Sequence, residues 1–295
     1  MKAAKNYYQT IFHLSLALAF LLGASSLAFS QNKWVFEDDG CGAVRWGNKS
    51  PYGERSGGAF NLEIKEQTVS AATKKLSIDA GVNGGIRVKG WERNEIYIKA
   101  CVQAFGKDEA EARARTAAVR VEYADGIVRA VSPAVTDSNY SFGVSYDIRV
   151  PVNTDLNLKT NNGGINLAGI NGSIEFDLHN GGVILDRIAG SVRGQTVNGS
   201  LTFNLSGERW EGGGIDARTT NGSVFINVPE IYSARLETGT RRGNFYVNLP
   251  VEKKRENNYE FNLDLGAGGA IIRAITTNGQ VTIKSKTVAA KENKL

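Results

Sequence analysis

Residues Asn162 to Leu185 read NGGINLAGINGSIEFDLHNGGVIL, and the pair Asn-Gly occurs three times in this stretch, at nine-residue intervals. A small residue follows each pair, then an apolar, a variable and a second apolar position. The interval persists beyond the stretch. Ile165, Ile174, Val183, Val192 and Leu201 are nine apart, and Leu167, Phe176, Leu185, Gly194 and Phe203 keep the same step. Farther along it holds locally, between Ile215 and Val224, Leu236 and Phe245, and Ile272 and Val281. Repetition on this scale marks a stacked or arrayed architecture.

Asn-Gly between alternating apolar runs is also the strongest short hairpin signal, so two pairings compete. A hairpin at Asn180-Gly181 sets Phe176 against Leu185, but it also sets Glu175 against Asp186 and Ile174 against Arg187. Like charges opposite each other destabilise a ladder. If instead two nine-residue strands form one coil, strands 18 residues apart lie side by side in parallel, about 4.8 Å apart. Glu175 then meets Arg193, Asp177 meets Gln195, Asp186 meets Asn204, and Phe176 lies over Gly194, whose missing side chain leaves room for the ring. The sequence therefore predicts a mainly β chain, a parallel β-solenoid with two strands per roughly 18-residue coil. The alternative is an antiparallel β meander or sandwich. Asn83, Asn162, Asn171, Asn180, Asn198, Asn221 and Asn278 are expected at turns. There glycine would take positive φ and the asparagine amides would bond from coil to coil.

Around the repeat, the chain divides into recognisable pieces. Residues 1–30 carry Lys2 and Lys5, an apolar run from Ile11 to Leu22 and then GASSLAFS, the order of a secretory signal peptide. Residues 31–70 read as a loop-rich arm, with the first strand signal at Leu62. The repeat domain spans 71–285, and 286–295 is a polar tail. Within it, 105–132 is expected to be a helix and hairpin decorating the repeat. KDEAEARARTAAV has Asp108 as cap and Glu111 to complete a capping box, with Ala110, Ala114 and Ala117 as its packing stripe. Asp125-Gly126 is the hairpin turn.

The bulk numbers narrow the function classes. The formal charge is +5, and removing Lys2 and Lys5 with the leader leaves 5 − 2 = +3. No basic run accompanies an aromatic platform, which argues against nucleic acid as partner. No apolar run after the leader is long enough to span a membrane. The two cysteines, Cys41 and Cys101, leave open a disulfide, which export permits, or two separate thiols with one of them buried.

Taken together, NGGIRVKGW (Asn83 to Trp91), SYDIRVP (Ser145 to Pro151), the NGGINL–NGSIEF–NGGVIL run and RWEGGGIDARTTNGSV (Arg209 to Val224) resemble the bacterial putative-adhesin family of unknown function, built of β-strand repeats. The likeness covers roughly residues 71–284. It implies an exported, repeat-built β domain and supplies no catalytic residues to carry over.

Chemistry-bearing sets are sparse. His179 is the one histidine after the leader. It is expected in a column with Ile170, Ile188 and Val197, as a structural residue at a corner. One histidine makes neither a zinc cluster nor a Ser-His-acid triad, and no G-x-S-x-G elbow occurs. No catalytic residue, cofactor or metal ligand is assigned. Glu175, Asp177 and Arg193 would share one outer wall. That suits a polysaccharide-cleaving solenoid enzyme, but a solvated ion-pair ladder explains the same residues. Of Trp34, Trp46, Trp91 and Trp210, the two beside charges, Trp91 and Trp210, are candidates to face a ligand. The reading is a non-enzymatic, exported envelope scaffold or adhesin that binds a protein or glycan of the cell envelope. The alternatives are the glycan-cleaving enzyme and a purely structural envelope protein. Any site is to be sought on outward residues between the turns, such as Asn166, Glu175, Ile184 and Arg193.

Overall fold

The repeat supplies two sheets alternately, one strand to each. Strands β8 (Asp155–Asn162), β10 (Asn171–Asn180), β12 (Ala189–Asn198) and β14 (Gly214–Asn221) lie side by side in one sheet. The intervening strands β9 (Ile165–Ala168), β11 (Val183–Asp186), β13 (Leu201–Asn204) and β15 (Val224–Pro229) lie side by side in the other; this latter is the first sheet, with the first wall as its outer face, and the former is the second sheet, with the second wall. The structure is a computed structural model that describes Cys41 and residues 58–132, 142–249 and 260–286. The expected leader, most of the arm and nearly all of the tail lie outside the described residues.

All pairs in this stretch are parallel. Glu175 is opposite Arg193, Phe176 opposite Gly194 and Asp177 opposite Gln195; Asp186 is opposite Asn204. The competing hairpin is not formed, because Val183 pairs with Ile165 on one side and Leu201 on the other. Alternate residues of every strand point inward, and both sheets feed one hydrophobic cluster containing Leu156, Ile174, Phe176, Leu185, Phe203, Ile226 and Ile272.

The Asn-Gly corners are built differently from the sequence expectation. Asn162, Asn180, Asn198, Asn221 and Asn278 end strands, and the glycines after them do not take positive φ. Positive φ occurs at the opposite corner instead, at Gly169 (+64°) and Arg187 (+50°), 18 residues apart. The glycines are required by close approach. A Cβ on Gly181 would overlap the carbonyl oxygen of Gly163, and Gly199 relates in the same way to Gly181, Gly222 to Gly199 and Gly279 to Gly222. Beside this glycine column runs an asparagine ladder. Asn162 Nδ2 donates to Asn83 Oδ1 (3.1 Å), Asn180 to Asn162 (2.7 Å), Asn198 to Asn180 (2.7 Å), Asn221 to Asn198 (2.8 Å) and Asn278 to Asn221 (2.7 Å). Asn171 is outside the ladder: it opens β10, opposite Ala189, and its N–H donates to Val152 O.

A third column has no counterpart in the sequence expectations. Thr160, Thr196, Thr219, Thr276 and Thr240 each stand three residues before a glycine, are buried, and donate from Oγ1 to the glycine carbonyl of the adjacent coil at 2.6–2.9 Å. Removing a hydroxyl while leaving a buried acceptor costs about 1–3 kcal/mol. Thr219→Val is expected to lower stability by that amount, and Thr220→Val, on the exposed neighbour, to be near neutral. Urea unfolding of the two variants decides it; equal midpoints would refute the role of the hydroxyl.

The ends of the sheets depart from a purely parallel stack. At one end, β2 (Lys75–Asp79) and β3 (Ile86–Trp91) pair in parallel with β8 and β9. Next to β3 comes β7 (Phe142–Pro151), then β4 (Glu95–Gly106), then β1 (Ala59–Ser70), and the last two pairings are antiparallel. A twelve-residue strand thus occupies part of the expected loop-rich arm. Helix α1 (Glu109–Ala118) is capped by Asp108, which accepts from Glu111 N at 2.8 Å. Glu111 accepts in turn from Lys107 N rather than from the cap. Its buried residues are Ala112 and Thr116, not the expected Ala110, Ala114 and Ala117 stripe. The helix seats on Gly106, where a Cβ would meet Ala112, and on Asn61, which donates to Thr116. The hairpin of β5 (Arg120–Ala124) and β6 (Ile127–Val131) turns at Asp125 (φ +50°) and Gly126 (φ +75°). It is no decoration: β6 pairs in parallel with β2 and continues the second sheet.

At the other end the order in space leaves the order in sequence. Strands β16 (Ala234–Arg242) and β17 (Phe245–Asn248) are followed by β18 (Glu260–Leu265), antiparallel to β16. The final strands β19 (Ile271–Asn278) and β20 (Val281–Lys286) insert between β14 and β16 in one sheet and between β15 and β17 in the other. Both ten-stranded sheets are therefore mixed and open-edged, which corrects the expectation of parallel pairing throughout.

Candidate binding surface

Because inward positions fill the core, chemistry is confined to the outward positions of the two walls. On the second sheet one outward column runs across six strands: Glu175, Arg193, Asp216, Arg273, Glu237 and Asn262. Charge alternates along it, at a spacing of about 4.8 Å. Arg273 Nε donates to Glu237 Oε2 at 2.9 Å, Arg235 reaches Glu237 Oε1 at 3.3 Å, and Arg235 also holds Asp264 at 3.2 Å. The Arg273 hydrogen bond holds the Glu237 carboxyl below the usual range, against a smaller opposing effect of burial.

The first sheet carries a matching column, Glu66, Lys99, Asp147 and Arg87, with Arg87 and Asp147 paired at 3.4 Å. Burial pushes the Asp147 carboxyl up, and the Arg87, Arg149 and Lys99 charges oppose the shift. Alternating charge on both walls is thus a general device for pairing strands, and an ion-pair ladder by itself marks no site.

The second wall also carries arginines that hold no carboxylate. Arg193, Arg241 and Arg242 have no carboxylate within 4.0 Å among the described residues. Arg218 has Asp216 at 3.6 Å, beyond hydrogen-bond reach. Arg218, Arg241 and Arg242 border an open trough of about 1190 Å³ over β12, β14, β19, β16 and β18, with Val197, Ile275 and Gly239 in its lining. A smaller depression of about 370 Å³ contains Glu175, Arg193 and Asp216.

The structure brings some expected residues together and separates others. Glu175 and Arg193 are exposed neighbours, and Asp177 accepts from Gln195 Nε2 at 3.3 Å. Asn166 and Ile184 are adjacent on the first wall, away from both. His179 corrects the sequence expectation. It lies exposed on the second wall beside Val197, whereas Ile170 and Ile188 are buried at the corner. Trp210 is 6% exposed and donates to Gly190 O at 3.0 Å, so it packs in the core. Trp91 is half-buried, donates to Glu95 O at 2.8 Å, and has the Arg93 guanidinium 5.1 Å from its ring. Trp34 and Trp46 lie outside the described residues. Cys41 and Cys101 are joined, with Cα atoms 5.7 Å apart, and Cys101 is opposite Ile64 of β1. Among the described residues no three His, Cys, Asp or Glu side chains gather as a metal cluster, and no helix is long and apolar enough to cross a membrane.

No protein-family model matches the chain, and no curated protein does. Solved structures similar to it are named for adhesion in most cases. A putative cell adhesion protein from Clostridium sporogenes aligns over 77% of this chain and all of its own, at 14% identity and a TM-score of 0.41. A putative adhesin from Bacteroides fragilis aligns over 77% of this chain and 97% of its own, at 14% identity and a TM-score of 0.30. A putative lipid binding protein from Parabacteroides distasonis aligns over 76% and 96%, at 11% identity and a TM-score of 0.28.

Proposed function

We propose that this chain is an exported, non-enzymatic binding protein of the cell envelope. Its central strands form a two-walled parallel β-solenoid, and the outer wall of the second sheet contacts a protein or glycan partner. The observation that carries the reading is the division of labour in the repeat. Inward positions are committed to the core and the Asn-Gly corners to the glycine, asparagine and threonine columns, which leaves the outward faces free to vary. Arginine forks over an open trough, Arg241 and Arg242 with no carboxylate within 4.0 Å among the described residues, suit that wall to recognition. The leader-like residues 1–30 support export, and a Cys41–Cys101 bridge suits an oxidising compartment.

The test is a pull-down from envelope extract with the full chain and with Thr220→Trp, which sets an indole on the exposed wall. The wild type is expected to enrich one partner reproducibly, and the variant to lose it. Recovery of the protein from the cytoplasm, or equal enrichment by both forms, would overturn the proposal. The glycan-cleaving alternative would displace it if wild-type chain cleaved members of a glycan panel and Glu175→Gln abolished the cleavage with the fold intact.

A further inference from the structure

We propose that the second wall binds a linear acidic polysaccharide, whose carboxylate or sulfate groups engage Arg193, Arg218 and Arg241 in turn; this rests on the reading of that wall as the binding surface. The three arginines lie on one diagonal. Arg193 is opposite Asp216; Arg218 is one strand over and two residues on; Arg241 is two strands farther and two residues on again. With about 4.8 Å between strands and 3.3 Å per residue, the diagonal is about 20 Å long, with steps of about 8 and 12 Å.

Its members differ from the other arginines of the wall. Arg235 and Arg273 are held by Glu237 and Asp264. Arg193 and Arg241 hold no carboxylate among the described residues, and Arg218 has one only at 3.6 Å. A guanidinium fork fits a carboxylate or sulfate with two parallel hydrogen bonds. A row of such forks, two bordering the open trough and one in the smaller depression, suits a chain bearing repeated anionic groups. Thr220 and Thr277 line the trough level with Arg241 and offer hydroxyls to a sugar chain. Among the described residues no aromatic ring lines the trough, which removes the stacking platform that single-stranded nucleic acids use. Its apolar side chains among the described residues are Val197 and Ile275, set among charged and hydroxyl groups.

The experiment measures binding of the purified full chain to polygalacturonate, dextran sulfate, neutral dextran and vesicles of phosphatidylethanolamine with phosphatidylglycerol. Binding is expected to one or both acidic glycans, weakening as salt rises, with neutral dextran unbound. R218S/R241S is expected to weaken it at least tenfold, R218K/R241K to lose part of it because charge remains without the fork, and R113S on α1 to leave it unchanged. None of Arg193, Arg218 and Arg241 is hydrogen-bonded in the ladder, so the variants should unfold as the wild type does. Absence of binding to both acidic glycans, equal binding by R218S/R241S, or binding to the vesicles alone would overturn the proposal. If Thr220→Trp still loses a partner from envelope extract while neither acidic glycan binds, the ligand class fails and the wall remains the recognition surface. If neither changes, both readings fail.

Discussion

Gly199→Ala is expected to cost at least about 4 kcal/mol, or to prevent folding, although it adds one methyl group. The new Cβ would overlap the Gly181 carbonyl oxygen and carbon and approach Gly182 N to 2.8 Å. All of these are backbone atoms, so no side chain can rotate away. The strands must separate, which opens the ladder and the threonine and asparagine bonds on either side of it. Losses of this size are exceptional for one substitution and a large share of an ordinary domain's stability. Gly169→Ala supplies the comparison. Gly169 has φ +64°, and a methyl group there would have open space for 4 Å around it, so only the left-handed backbone opposes alanine. That conformation costs about 1–2 kcal/mol. Urea unfolding of both variants tests the argument. Equal losses would mean that conformation, and not close approach, fixes glycine at the Asn-Gly corners.

The second large effect concerns Phe176 and Gly194, opposite each other on β10 and β12. Phe176 is 3% exposed, and a Cβ on Gly194 would fall on its ring. Phe176→Ala should cost about 3–5 kcal/mol through lost burial and the remaining cavity. Gly194→Ala should cost about 1–3 kcal/mol or more through overpacking. The double variant is expected to lose less than the sum, by at least about 1 kcal/mol, because removing the ring makes room for the methyl. Recovery stays partial, since the Phe176 carbonyl oxygen would still lie 2.5 Å from the new atom. Additive losses in a double-mutant cycle would show that ring and glycine are not complementary.

Both effects sit at positions that counting can find. The nine-residue step places Phe176 on Gly194 and Glu175 beside Arg193, because inward positions recur at a fixed interval and a one-residue slip would turn every side chain over. The threonine column is equally present, as T-x-N-G at Thr160, Thr196, Thr219 and Thr276. Leu178 breaks its run, and threonine in a strand gives no signal of its own partner. The role of glycine at the corners departs from expectation for a physical reason: sequence shows that Cβ is absent, while only the packed chain shows whether torsion or a neighbour excludes it. The packing stripe of α1 differs for a similar reason. Alanines face several ways around that helix, and Asn61 and Gly106 choose which are covered.

The free arginines cannot be told from the ladder arginines in the sequence. Arg273 and Arg241 both follow a strand pattern, and what separates them is a carboxylate from a strand 36 residues away, Glu237, beside the first. Within residues 156–204, then, the sequence by itself determined pairing, register and the residues of the core, since every partner lies 18 positions off and one period repeats them all. The tertiary structure alone decided the insertion of β19 and β20 ahead of β16 and β17, the antiparallel strands at both ends and the diagonal of guanidinium groups left outside the hydrogen-bonded ladder. Those depend on which sheet edge a distant segment meets, and no local period encodes a partner tens of residues away.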